Sequence, residues 1–247
     1  MVEVAAIWRH PIKSHGRETL NRVPLTAGQT MPWDRRWAVA HELSKADESA
    51  WSPCANFNRG SKVAALMAIN ASSHPEAGTV TLTHPDRPAL TFDPDTEAET
   101  FLEWVRPLMP ANRAQSVRVI RVPGRGMTDT DYPSVSLLNP ASNKALSDAM
   151  ETDLSIQRWR GNIVMSGLPA WEEFDWIGRR IRIGGAELEV RERIERCKAT
   201  TANPETGICD ADTLGALNHV FGHQDFGVYA VVTKSGEIAT GDGIELL

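Results

Sequence analysis

Residues Arg179–Arg193 read RRIRIGGAELEVRER, two runs of alternating apolar and charged side chains on either side of Gly184-Gly185. Alternation with a period of two puts one set of side chains on each face of an extended chain. Paired glycines accept the positive φ of a tight turn, so the stretch is a β-hairpin. Its neighbours are of the same kind. QSVRVIRV (Gln115–Val122) alternates in the same way, and FGVYAVVTKSGEIATGDGIEL (Phe226–Leu246) holds two more strands with KSGE between them. Two short helices are expected among the strands. LLNPASNKALSDAM has Asn139 as cap and Pro140 in the first turn, and CDADTLGALNHVFG is capped by Asp210 or Asp212 and stopped near Gly222. Short antiparallel strands of this kind are expected to curl into a barrel, because closure removes exposed edges.

The first part of the chain is more mixed. VEVAAIW opens as a strand ended by Pro11, and RRWAVAHE is a second short strand. SKVAALMAI fits either helix or strand. TVTLTHPDRPALTFD reads as two strands joined around HPDRP, with Asp86 in the turn. TEAETFLEWVRPLM is a helix by the spacing of Phe101, Leu102, Val105 and Leu108, stopped or kinked by Pro107. The expected class is mixed α+β: a mostly antiparallel, β-barrel-like domain over residues 111–247, packed on a smaller α/β module over residues 1–110.

A chain of 247 residues can bury a real core. Its formal net charge is -6, and no continuous basic stripe is present, so nucleic acid is not an expected partner. Arginine nonetheless outnumbers lysine by 20 to 6, a ratio that suits an anionic ligand or simply reflects arginine-rich codon use. No glycine run has the spacing of a nucleotide-binding loop, and the seven histidines form no zinc-protease pattern. The three cysteines, Cys54, Cys197 and Cys209, are too few and too scattered for a disulfide framework, a structural zinc site or an ordinary iron–sulfur centre. Glu3 interrupts the apolar N-terminus, leaving no secretory core and no membrane span. The expected location is the cytoplasm, with no membrane partner.

Several short stretches carry candidate chemistry. Cys197 stands between Arg196 and Lys198, at a strand end or the start of a loop. Flanking cations favour a thiolate only if loop geometry turns them toward the sulfur, and such a thiolate serves as nucleophile, soft-metal ligand or sulfur carrier. The plainer reading is a small buried apolar residue. Cys209, beside Asp210, lacks these neighbours. TANPETG forms a tight turn next to Thr200 and Thr201, whose hydroxyls face either a ligand or solvent. In RWRGNIV an extended chain would place Arg158, Arg160 and Asn162 on one side, as an anion-gripping ridge or a solvated face. HPIKS offers Lys13 and Ser14 at a strand end, and DRRW adds Arg35 with Asp34 placed to orient it.

HPIKS, DRRW, TDYPSVSLLNPAS, RWRGNIV, RCKATTANPETG, FGVYAVV and GEIATGD occur in one order along nearly the whole chain. In that order they resemble the MOSC family, named for the C-terminal domain of molybdenum cofactor sulfurases. The resemblance is narrower to members with the MOSC N-terminal module, among them YcbX-like proteins and mitochondrial amidoxime-reducing components. It implies a molybdenum cofactor (molybdopterin), with Cys197 as protein ligand to the metal and catalytic residue. Lys13, Ser14, Arg35, Arg160 and Asn162 would contact the pterin and its phosphate, with Arg158, Thr200 and Thr201 of second rank. The resemblance also admits pyridoxal phosphate as a ligand. The implied activity is reduction of N-hydroxylated or N-oxide small molecules, with electrons from a separate flavoprotein, haem or iron–sulfur protein. The alternative is a sulfur carrier with a persulfide on Cys197. His10 and His15 stand where many relatives have tyrosine and cysteine, and FNRGSK departs from the family's T-x-R segment, so Arg59 is set aside.

Overall fold

The computed structural model describes residues 1–247. The hairpin forms where its alternation places it: Arg180–Ile183 pairs antiparallel with Ala186–Glu195, and Gly184 makes the turn with φ 51°. Ile181, Ile183, Leu188 and Val190 are fully buried on one face. Arg180 faces Glu189 and Arg182 faces Glu187 on the other, so opposite charges pair across the strands. A Cβ at Gly184 would lie 2.3 Å from the Asp242 carboxylate, which is a second reason for glycine there.

This hairpin is part of an eight-stranded sheet. The strand order is Ile244–Leu246, Arg180–Ile183, Ala186–Glu195, Asp225–Lys234, Val135–Leu138, Ile163–Ser166, Glu3–Arg9 and Glu18–Leu20. All neighbours are antiparallel except Val135–Leu138 with Ile163–Ser166. Parallel neighbours need a crossover, and the helix Pro140–Ala149 lies on it. Bulges interrupt the register between Ala186–Glu195 and Asp225–Lys234, adding twist and curl. The strands Ile244–Leu246 and Glu18–Leu20 at the two ends do not pair with each other, but Ile244 N donates to Val2 O and Val4 N to Asp242 O, so the sheet curls back toward its first strand as a half-barrel.

A core of 21 residues lies against this sheet, among them Ile181, Leu188 and Val228. A separate core of 14, built around Trp37, Phe92 and Phe101, fills the smaller α/β module. There the helix Ala98–Val105 covers a three-stranded sheet, Asn70–His74, Thr79–His84 and Arg87–Phe92. The first strand nevertheless pairs within the large sheet, so the chain passes from one core to the other just after Arg9.

Some elements differ from expectation. SKVAALMAI becomes a 3-10 turn, Ala64–Ala68, that buries Leu66, Met67 and Ala68. The helix expected near Gly222 is one α turn, Thr213–Ala216, followed by a π turn, Leu217–Phe221, capped by Asp212 and ended by Gly222 at φ 75°. The C-terminus adds a third strand, Ile244–Leu246. No helix is long and apolar enough to cross a membrane.

Candidate functional site

A cleft of about 230 Å³ is lined by residues from both parts of the chain, from Lys13 to Met67 and from Thr128 to Tyr229. Six cations line it, Lys13, Arg35, Arg59, Arg158, Arg160 and Arg196, against two carboxylates, Asp129 and Glu195. A chain with net charge -6 thus concentrates positive charge in one concave place, which focuses the field on an anion.

The cleft wall is built from unusual backbone. Six non-glycine residues have positive φ, and three of them, Ser14 (63°), Arg35 (49°) and Arg160 (49°), line the cleft. Left-handed conformations cost energy for side chains with a Cβ and cluster at functional sites. Ser14 sits in the tight turn where His15 N donates to Ile12 O at 2.9 Å. Arg35 is held by its own N–H to His10 O at 2.6 Å, and its guanidinium pairs with Asp34 and donates to Arg160 O at 2.7 Å. The RWRGNIV segment is not the extended ridge expected: Ile156–Trp159 is a 3-10 turn, Arg160 is left-handed and the strand starts only at Ile163. Gly161 explains the change, since a Cβ there would lie 2.3 Å from Leu138 Cγ and the close approach bends the chain. Arg158, Arg160 and Asn162 still reach one cleft, through a turn instead of a strand.

Cys197 follows the long hairpin strand and is exposed at the start of the 3-10 turn Lys198–Thr201. The loop is tied down from several sides. Arg158 pairs with Asp210 at 2.7 Å and donates to Thr201 O at 3.3 Å, while Thr200 Oγ1 donates to Cys197 O at 3.1 Å. Arg196 donates to Trp159 O at 2.7 Å and, through Nε, to Phe226 O at 2.8 Å, locking the strand end beneath the sulfur. Lys198 is exposed and does not line the cleft, so of the two flanking cations only Arg196 does.

Two of the arginines have unmet donors. Arg158 Nε and Arg160 Nη1 are buried without a hydrogen-bond partner. Burial, then Arg35 and Arg17, pushes the Arg160 guanidinium down to about 9, so it remains protonated at neutral pH among charges of its own sign. Burial likewise pushes Arg196 down to about 10. A buried donor without an acceptor is costly, and an anion in the cleft would relieve both the desolvation and the repulsion.

Not every expected residue offers free atoms. Lys13 Nζ is already engaged, donating to Met127 O at 2.7 Å and pairing with Asp129. Asn162 is spent on the sheet: its Oδ1 accepts from Ser136 N and Oγ, and its Nδ2 donates to Trp8 O. Thr200 is buried, its hydroxyl bonded to Thr213 at 2.7 Å. Thr201 stands outside the lining, donating to Lys198 O and Cys209 Sγ. The cleft also contains residues the sequence reading passed over. Arg59 lines it and donates to Cys54 Sγ at 3.1 Å, so a second thiol faces the same space. Tyr229 lines it too, kept protonated by burial and by Asp129. Strand alternation places Tyr229 there, whereas Arg59, set aside on its motif, and Cys54 arrive by a long-range approach. No three His, Cys, Asp or Glu side chains stand together as a metal-ion group.

A curled half-barrel with an arginine-lined cleft and a thiol at its edge is the frame of a protein that can grip an anion beside a sulfur nucleophile or ligand. The comparisons give this frame its lineage. The MOSC domain matches residues 127–245, and the MOSC N-terminal beta barrel domain matches residues 1–132. The chain belongs to the MOSC family with its N-terminal module. It is 30% identical over 126 residues to the mitochondrial amidoxime reducing component 2 of Homo sapiens. It is 33% identical over 128 residues to the mitochondrial amidoxime-reducing component 1 of Xenopus laevis. Each match covers 46% of this chain and 37% of the relative, so the chain spans well under half the length of these relatives. The crystal structure of the YUAD protein from Bacillus subtilis is similar at 13% identity and a TM-score of 0.49, covering 100% of this chain and 96% of that one.

The expected cytoplasmic location is overturned by these matches, since the relatives are named as mitochondrial components. Free thiols and a polar N-terminus constrain disulfides and membrane spans, and neither property fixes a compartment.

Proposed function

We propose that the chain is a molybdenum-cofactor-binding oxidoreductase that reduces N-hydroxylated or N-oxide small molecules with electrons from a separate donor protein. The observation that carries this reading is the exposed Cys197 in a cleft where Arg158 Nε and Arg160 Nη1 are buried without partners. The residues fit such a group. A phosphate tail calls for charge-assisted N–H donors, and a soft metal already held by a dithiolene calls for one more thiolate. Family membership and the names of the relatives support the same reading.

In this assignment Cys197 is the metal ligand, and Arg160, Arg35 and Arg158 hold the phosphate and pterin, with Ser14 beside them. When bound, the group supplies a two-electron centre that accepts oxygen from the substrate. The chain's own part is positional and electrostatic. Arg196 and Arg158 fix the Cys197 loop through carbonyls of Trp159, Phe226 and Thr201. The Tyr229 hydroxyl, lining the cleft with its proton retained, is a hydrogen-bond donor to an oxygen leaving the substrate.

The test is direct. Expressed in a host that makes the cofactor, the chain is expected to carry about one molybdenum and one pterin per molecule, as a single-thiolate site requires. With a chemical reductant it should then reduce a hydroxylamine or amidoxime. Cys197→Ser should lose the metal, and Cys209→Ser should keep it. A metal-free chain with labile sulfur on Cys197 would assign the sulfur-carrier role instead.

A further inference from the structure

We propose that Asp34, a carboxylate that does not line the cleft, is the positioning residue that aims the Arg35–Arg160 pair at an anion. The inference rests on the cleft being an anion site. Asp34's side chain is fully buried, accepts from His10 N at 2.8 Å and pairs with the Arg35 guanidinium. Arg35 in turn donates to Arg160 O at 2.7 Å. One buried negative charge therefore sets Arg35 directly and Arg160 through its backbone. Both arginines hold left-handed backbone at φ 49°, a conformation neither would keep without such ties.

The backbone of the Asp34–Arg35 turn is closely packed as well. A Cβ at Gly126 would lie 2.2 Å from Asp34 O, so only glycine lets that segment close over the turn. The next residue binds on both sides, Met127 N donating to Arg35 O at 2.7 Å and Met127 O accepting from Lys13 Nζ. Burial opposes ionisation of Asp34, but Arg35 and His10 outweigh it and hold the carboxyl well below the usual range. A buried ion pair is a poor source of stability compared with apolar packing. Here the Asp34 charge offsets the repulsion between the Arg35 and Arg160 guanidiniums, while Arg160 Nη1 stays without a partner.

The experiment uses the cofactor-free chain and inorganic pyrophosphate as probe, titrated by calorimetry into wild type, Asp34→Asn, Arg35→Ala and the double variant. Asparagine preserves the shape and the acceptor for His10 N while removing the charge. Asp34→Asn is expected to weaken pyrophosphate binding about tenfold, and the double variant to bind no more weakly than Arg35→Ala alone, because the two residues act as one unit. Additive losses, or an unchanged affinity in Asp34→Asn, would overturn the positioning role while leaving the anion site standing. Wild type that ignores pyrophosphate would overturn both. A measurement that needs no stable Asp34 variant follows the wild-type Arg35 guanidinium by NMR, identified by its loss in Arg35→Lys. Restricted rotation before the probe is added is expected, and free rotation would refute the inference.

Discussion

Arg160 concentrates the chemistry of the cleft in a single side chain. Its backbone is left-handed, its Nη2 donates to Gly16 O at 3.1 Å, and its Nη1 has nothing to bond. Arg160→Ala is expected to weaken retention of an anionic cofactor by about 1.5–3 kcal/mol, the range for a hydrogen bond to a charged group. Cofactor remaining after serial dilution measures it, and equal occupancy in the variant and wild type would remove Arg160 from the site. The sequence named this arginine but for a different shape. An extended RWRGN would have aligned three side chains by alternation, whereas the folded chain aligns them with a 3-10 turn and a left-handed residue. Asn162 shows the limit of such reading. A polar side chain beside two arginines looks like a ligand contact, yet its atoms are consumed by Ser136 and Trp8, partners distant in sequence.

Among the elements, the helix Pro140–Ala149 shows how far local signals reach. Asn139 was legible as its cap and does accept from Ala141 N at 2.9 Å. The same amide donates at 2.7 Å to Pro169 O and to Glu173 Oε2, a carboxylate with no exposure whose pKa burial pushes up. Asn139→Ala should therefore cost more than a cap, about 2–4 kcal/mol for the cap plus a buried acceptor left short of a donor. Denaturant unfolding reads this directly, and a loss near 1 kcal/mol would mean the Glu173 contact contributes nothing. The hairpin strand Ala186–Glu195 belongs to the legible side as well, since its alternation delivers Arg196 and Cys197 to the sheet's end.

For the molecule as a whole, the wall behind the cleft predicts acid sensitivity. His10 and His15 are buried, and burial first, with Arg160 adding to it, pushes them down to about 3 and about 4. Each histidine in the unfolded chain gains a proton near pH 6.5 that the folded chain refuses. Between pH 6.5 and roughly 4 the unfolded state thus binds more protons, and stability falls as pH falls, by about 1.4 kcal/mol per pH unit for each histidine. With two such histidines, about 2.8 kcal/mol per pH unit, the melting temperature should drop by about 6–11 °C per pH unit across that window. His15→Gln should flatten the slope, and an unchanged melting temperature from pH 7 to pH 5 would contradict the burial of both rings. Periodicity and turn chemistry alone sufficed for the hairpin, the capped helix, the α+β class and the strand-end position of Cys197, because each depends on neighbours within a few residues, whereas the exposure of its thiol, against the plainer expectation of burial, was decided by the fold. The curl of the sheet, the ion-paired Lys13, the diverted Thr201 and the arrival of Cys54 and Arg59 in the same cleft as Cys197 were settled by packing between segments tens of residues apart. Hydrogen bonds and charges choose among partners by distance in space, and that distance exists only once both cores have closed.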